Sequence, residues 1–248
     1  MALHSQVSII KTEINLLLSI YILLNKLTNI RSFIMSINTN SYGVLNKNYV
    51  KRIQETITKA LNDYPRVMVL RVDLRLPEIE TGTYKSDSGI VTRFIVSLKS
   101  QIEADLLKKY NAGKRVHSCY VRHIWAREFN EHGKKHYHVA LLFNREAYAY
   151  PGTYTSTDGE YTHNLAMMIM EAWIRALGLN TVNNHQQYYS LVEFPASCYS
   201  HLSKNNNNFT NQLSNVTDRL NYLAKDYSKD NSDSQRNFGS SQYCLSHK

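Results

Sequence analysis

HSCYVRHIWAREFNEHGKKHYHVALLF, residues 117–143, reads as two strands, His117–Glu128 and His136–Phe143, with Phe129–Lys135 as the turn of a hairpin. Residues two apart on a strand share a face, so His136 and His138 project together while Tyr137, Val139 and Leu141 turn to the core. Pairing Glu128 with His136 also pairs Ala126 with His138, and directly opposite residues share a face. The Glu128 carboxylate is therefore expected beside both imidazoles.

Working outward, Arg66–Leu76 alternates strictly, with Leu70, Val72, Leu74 and Leu76 on one side and Arg71, Asp73 and Arg75 on the other. Helical spacing places helices over Val50–Tyr64, Gly89–Tyr110, Asn164–Leu177 and Thr217–Lys229. A short strand is expected at Tyr188–Phe194. The Asn- and Ser-rich stretch 203–217 reads as a mobile loop. Hairpin-like pairing dominates, so the fold class is α+β, a central antiparallel sheet with helices packed mainly on one face.

The chain has 248 residues, with 29 Lys+Arg against 20 Asp+Glu and a net charge of +9. The excess points to a polyanionic partner, and an apolar content of 43% excludes wholesale disorder. Cys119, Cys198 and Cys244 form no CxxC pair, which fits a reducing, cytoplasmic compartment. The apolar stretch Val7–Met35 is interrupted by Lys11, Glu13, Asn15, Asn25 and Lys26, so a membrane span is not expected. The expected organisation is an extension over 1–45, a domain over 46–241 and a tail over 242–248.

Two His and a carboxylate at the rim of a sheet make a three-ligand metal site with positions open for substrate. An HxH string arises about 0.4 times by chance in a chain with this many His, so its weight comes from the company of Glu128. On the expected last helix, Asp218, Tyr222, Lys225 and Lys229 fall on the polar side, and Leu220, Leu223, Ala224 and Tyr227 form the apolar stripe. A tyrosine with a lysine one turn away suits attack on a phosphodiester, because a cation favours the phenolate and the phosphate's developing charge. Arg71, Arg75, Arg122, Arg127, Lys134 and Lys135 are candidates for phosphate contacts, and Trp125, Tyr120 and Tyr148 for stacking on bases. Trp173 belongs to the core.

Glu128, then His136-Tyr137-His138, then Tyr222-Leu223-Ala224-Lys225 near the end of the domain resembles the HUH endonucleases of rolling-circle replication. The strings RVDLRLP (71–77), GKKHYHVALLFNREAY (133–148), LVEFP (191–195), DRLNYLAKDYSK (218–229) and RNFG (236–239) resemble more closely the inovirus-type replication-protein family that includes the YagK/YfjJ C-terminal domain. The likeness covers roughly residues 64–241.

What the resemblance implies is a single-tyrosine nickase, with His136, His138 and Glu128 holding Mg²⁺ or Mn²⁺. Tyr222 would attack single-stranded DNA at a replication origin and leave a 5′-phosphotyrosyl link, Lys225 would neutralise the attacked group, and Asp73 would support the site. The chain contains no GxxxxGK[ST] loop, so no nucleotide cofactor is expected and a host helicase and polymerase are the implied partners. Two other readings stay open on the residues alone: a non-catalytic DNA-binding regulator that keeps the fold, and a hydrolase of small phosphoesters in which Tyr222 is incidental.

Overall fold

The structure is a computed structural model that describes residues 42–78, 83–157, 159–227, 229–230 and 232–242, all within one compact unit that begins at Tyr42. The apolar stretch Val7–Met35, Cys244 and nearly all of the 242–248 tail lie outside the described residues.

Chain order is α1 (Lys47–Asp63), β1 (Arg66–Arg75), the short α2 (Thr83–Ser86), α3 (Ile90–Asn111), β2 (Arg122–Phe129), β3 (Lys135–Asn144) and α4 (Leu165–Ala176). A 3₁₀ turn over His185–Leu191 leads into β4 (Val192–Glu193), β5 (Tyr199–Ser203) and α5 (Phe209–Asn221). A second 3₁₀ turn, Tyr222–Ala224, follows α5 directly, and β6 (Phe238–Ser240) closes the order. The sheet runs β4-β1-β3-β2-β6, with β5 sharing the outer edge of β1, and every pairing is antiparallel.

The helix limits follow from local chemistry. Asn46 caps α1 by accepting from the Asn48 and Tyr49 amides, and Asn164 caps α4 by accepting from Met167. The β2–β3 turn is tied by Asn130, whose side chain accepts from the amides of His132 and Lys134. Gly133 takes a positive φ of 68° there, a conformation that suits glycine. On β6, Gly239 passes so close to the Trp125 indole that a Cβ would stand 2.3 Å from Nε1, so only glycine fits.

The α+β class and the central antiparallel sheet are as expected, but the helices are divided between the two faces. Met68, Leu70, Val72 and Leu74 of β1, with Tyr137, Val139, Leu141 and Phe143 of β3, are buried under α3 and α4, where Trp173 is fully enclosed. The other face is apolar at one end: Val67, Val69, Ile124, Ala140, Leu142 and Leu202 form a second core with α1 and α5. The charged triplet Arg71, Asp73 and Arg75 drew attention to the far end of this face and hid the valines that give it a core.

The segment read as a loop contains α5. Phe209, Leu213, Val216 and Leu220 fall at i, i+4, i+7 and i+11 and pack into the second core, and that burial overrides the weak helix propensity of the intervening Asn, Ser and Thr. The expected helix over Thr217–Lys229 is accordingly shifted. It ends at Asn221, and Lys225 forms an antiparallel bridge with Leu45. Among the described residues no helix is long and apolar enough to cross a membrane.

Candidate functional site

The β2–β3 register is the expected one, Glu128 opposite His136 and Ala126 opposite His138, and β1 adds Asp73 opposite His138. Three neighbouring strands thus each send a side chain to the open end of the second face. His136 Nε2 lies 3.3 Å from His138 Nε2, and His138 Nε2 lies 3.4 Å from Glu128 Oε2. These three residues offer donor atoms that all lie within 4.8 Å of one another, a group able to hold a metal ion. Glu128 and His138 are buried and His136 is half-buried.

The donor set fits a metal in its orientation as well as its spacing. His138 Nδ1 is 2.6 Å from Asp73 Oδ1, so Nδ1–H donates to that carboxylate, and Nε2 faces His136 and Glu128, where it can ligate an ion once its own proton is gone. Asp73 supports the site through His138, and Arg71 in turn pairs with Asp73 at 3.5 Å. Burial by itself would lower the His138 pKa, but hydrogen bonds with Asp73 and Glu128 outweigh it and raise it. At His136 burial prevails, with the neighbouring His138 charge acting the same way, and its pKa is lowered. Burial pushes the Glu128 carboxyl upward, yet the His138 contact and the Lys229 charge hold it well below the usual carboxylate range.

Tyr222 arrives from the turn after α5. Its ring stands 5.2 Å from the His138 ring and 5.6 Å from that of Tyr42, both edge-on, and the Arg71 guanidinium lies 4.6 Å from its centroid. Lys225 Nζ is 3.5 Å from the same centroid and 3.1 Å from Glu128 Oε2. The sequence grouped Tyr222 and Lys225 on a helical face, whereas they meet because α5 has ended and the 3₁₀ turn brings both round to the sheet.

Lys229 also reaches Glu128, with Nζ 2.7 Å from Oε1, and its side chain is 1% exposed. Sequence reasoning placed Lys229 beside Tyr222 and Lys225 but gave it no partner. Asp218 accepts from the Ser214 hydroxyl at 3.5 Å. Tyr227, expected on the apolar stripe, is 75% exposed. The helix that would have buried it stops six residues earlier.

Of the candidate phosphate contacts, Arg71 alone is inside the site. Arg75 stands opposite His136 in register and pairs with Glu193, and Lys134 in the turn pairs with Glu78 at 2.5 Å. Arg122 lies at the covered end, buried against Asp63. Arg127 and Lys135 alternate with Glu128 and His136 and so project from the opposite face, where both are buried. Arg127 is enclosed by Asp233, Gln235, Asn237 and the Asp230 carbonyl. The period of two that joins the histidines is the reason these two basic residues are removed from the site face.

Among the candidate stacking residues, Trp125 packs edge-on to Tyr137 on the other face, and Tyr148 is buried with its hydroxyl on Asp105. Tyr120, 41% exposed, sits beside Lys99 and Arg122 at the covered end.

Comparison with known proteins finds the YagK/YfjJ C-terminal domain over residues 28–241. The chain is 36% identical over 208 residues to the uncharacterized protein YagK of Escherichia coli strain K12, covering 82% of this chain and 96% of that protein. It is 32% identical over 203 residues to the uncharacterized protein YfjJ of the same strain, covering 78% and 93%. No solved structure matches.

Proposed function

The chain belongs to the YagK/YfjJ C-terminal domain family, and from that premise we propose that it is a metal-dependent, single-tyrosine DNA nicking and strand-joining enzyme of the HUH type. Its substrate is single-stranded DNA at a replication origin, and its reaction starts rolling-circle replication of an inovirus-like or related mobile element in the cytoplasm. The observation that carries this reading is the meeting of Tyr222 and Lys225 with the Glu128, His136 and His138 group.

His136, His138 and Glu128 would hold Mg²⁺ or Mn²⁺, the carboxylate favouring the harder ion and the imidazoles the later one. When bound, such an ion polarises a phosphoryl oxygen and orients the phosphate. Tyr222 Oη forms a bond to phosphorus, and the bond from phosphorus to the 3′ oxygen breaks. The phenolic proton leaves to solvent and the departing oxygen gains one, giving a 5′-phosphotyrosine and a free 3′-OH. One phosphate ester replaces another, so the 3′-OH can reverse the step and rejoin the strand with no nucleotide cofactor. Lys225, beside the Tyr222 ring, favours the phenolate and offsets charge on the attacked phosphate. Arg71, whose guanidinium lies 4.6 Å from the centroid of that ring, would meet the DNA backbone. Strand separation and synthesis fall to a host helicase and polymerase.

Incubation with labelled origin-derived single-stranded oligonucleotides and Mn²⁺ tests the reading. The expected product is an SDS-resistant protein-DNA adduct that Tyr222→Phe abolishes. Cleavage that survives Tyr222→Phe would mean attack by water instead. DNA binding without cleavage of any origin-derived strand would mean a regulator that keeps the fold.

A further inference from the structure

The two oxygens of Glu128 are held differently. Oε1 belongs to Lys229, whose ammonium is 2.7 Å away on a side chain with 1% exposure. The residue after Lys229 is itself fastened, because the Asp230 carbonyl accepts from Arg127 Nη2 at 3.0 Å and from Asn237 Nδ2 at 2.8 Å. Arg127 and Glu128 are consecutive on β2 and point to opposite faces, so one strand grips the same C-terminal segment from both sides. Lys229 has little freedom to leave.

Oε2 is contested. It faces His138 Nε2 at 3.4 Å, as a third metal ligand must, and it also accepts from Lys225 Nζ at 3.1 Å. A divalent ion shared by Glu128, His136 and His138 and an ammonium within hydrogen-bond reach of the same oxygen are two like charges in a buried place, where screening by solvent is weak. Lys225 has somewhere to go: its Nζ is already 3.5 Å from the Tyr222 ring centroid.

We propose that Lys225 and a divalent cation are alternative partners of Glu128 Oε2, so that cation binding frees Lys225 from Glu128 and hands it to Tyr222, while Lys229 keeps Glu128 aimed by holding Oε1. The proposal rests on the metal-holding reading of the site but not on nicking. Its consequence is order: the lysine that assists the nucleophile becomes available when the metal arrives. Linkage makes the effect reciprocal, so Lys225 must weaken cation binding by the factor that the cation weakens the Lys225 contact.

The test is Mn²⁺ binding to the full chain without DNA, followed by the EPR signal of free Mn²⁺. Lys225→Met should bind Mn²⁺ about tenfold more tightly than the wild type, within the usual span of couplings between two ligands. Lys225→Arg, which keeps the charge, should stay near the wild type, and His136→Ala should weaken binding in either background. A Lys225→Met protein that binds no more tightly than the wild type overturns the exchange. If His136→Ala abolishes binding in that experiment, the metal reading stands and the exchange alone fails. If neither the wild type nor Lys225→Met binds Mn²⁺, both fall. Should Lys225→Met not fold, the wild type answers by ¹⁵N NMR of the lysine ammonium groups during Mg²⁺ titration. The Lys225 signal must move in step with the His136 and His138 rings, and an unmoved signal overturns the proposal.

Discussion

Two halves of one sheet face lie side by side in the same three strands. In the first, Val67, Val69, Ile124, Ala140 and Leu142 are sealed under α1 and α5. In the second, Arg71, Asp73, Glu128, His136 and His138 converge with Tyr222 and two lysines. Strand geometry is the same in both, and the alternation continues through both without a break. What differs is the cover. Helix α5 stops at Asn221, Leu223 and Ala224 complete the apolar half, Tyr222 packs against that half while its ring also reaches His138, and Lys225 turns to the polar half. The 3₁₀ turn divides core from site within four residues, which teaches that the site is the part of a core face where the covering helix has run out.

The sharpest way to break that division is Tyr222→Phe. The DNA adduct should disappear, a loss of at least ~10³-fold in joining rate, as expected when a nucleophile is removed. The melting temperature should change little, because the hydroxyl is all that is lost. A fall in stability matching the fall in activity would mean that Tyr222 serves the apolar half instead.

Next in size is Glu128→Ala, which leaves Lys225 and Lys229 buried around a missing charge. Removing one partner of a buried pair should cost about 3–5 kcal/mol in urea unfolding. A cost under about 1 kcal/mol would show that these ammonium groups reach water.

Leu142→Ala probes the sealed half. It should cost about 2–4 kcal/mol through lost burial and the cavity left behind, while the Mn²⁺ affinity of the folded protein stays unchanged. Altered metal affinity would mean that the two halves are mechanically one.

The smallest effect is expected from Lys134→Ala at the hairpin turn. Removing its exposed pair with Glu78 should leave the urea midpoint unchanged, because solvent screens a surface pair. If the turn meets DNA, the logarithmic salt dependence of binding should fall by about one unit. An unchanged slope would confine DNA contact to the Arg71 side of the site.

The hairpin was legible because both signals are local. The alternation of 136–143 and the short turn before it predict the register, and the register predicts the neighbours Glu128, His136 and His138, as found. The same rule also assigns Arg127 and Lys135 to the far face, and weighing it against their charge would have removed them from the list of phosphate contacts. Helix α5 was legible only in its apolar spacing, Phe209, Leu213, Val216 and Leu220, which its Asn and Ser content outweighed. The point where it ends carries no proline or glycine. The stop comes from contacts distant in sequence: Leu45 bridges Lys225, and the Asp226 amide donates to the Val44 carbonyl.

By itself, then, the sequence determined β1, the β2–β3 hairpin with its central register and the chemical kinds gathered at the rim, because period and turn length act over a few residues. By contrast, β5 and β6 went unread, and the expected strand over Tyr188–Phe194 is a 3₁₀ turn with only Val192–Glu193 paired. Tertiary structure decided which face each helix covers, where α5 stops, and that Lys225 and Lys229 close on separate oxygens of Glu128. Those outcomes depend on burial and charge pairing between segments up to about a hundred residues apart, and no local pattern encodes such meetings.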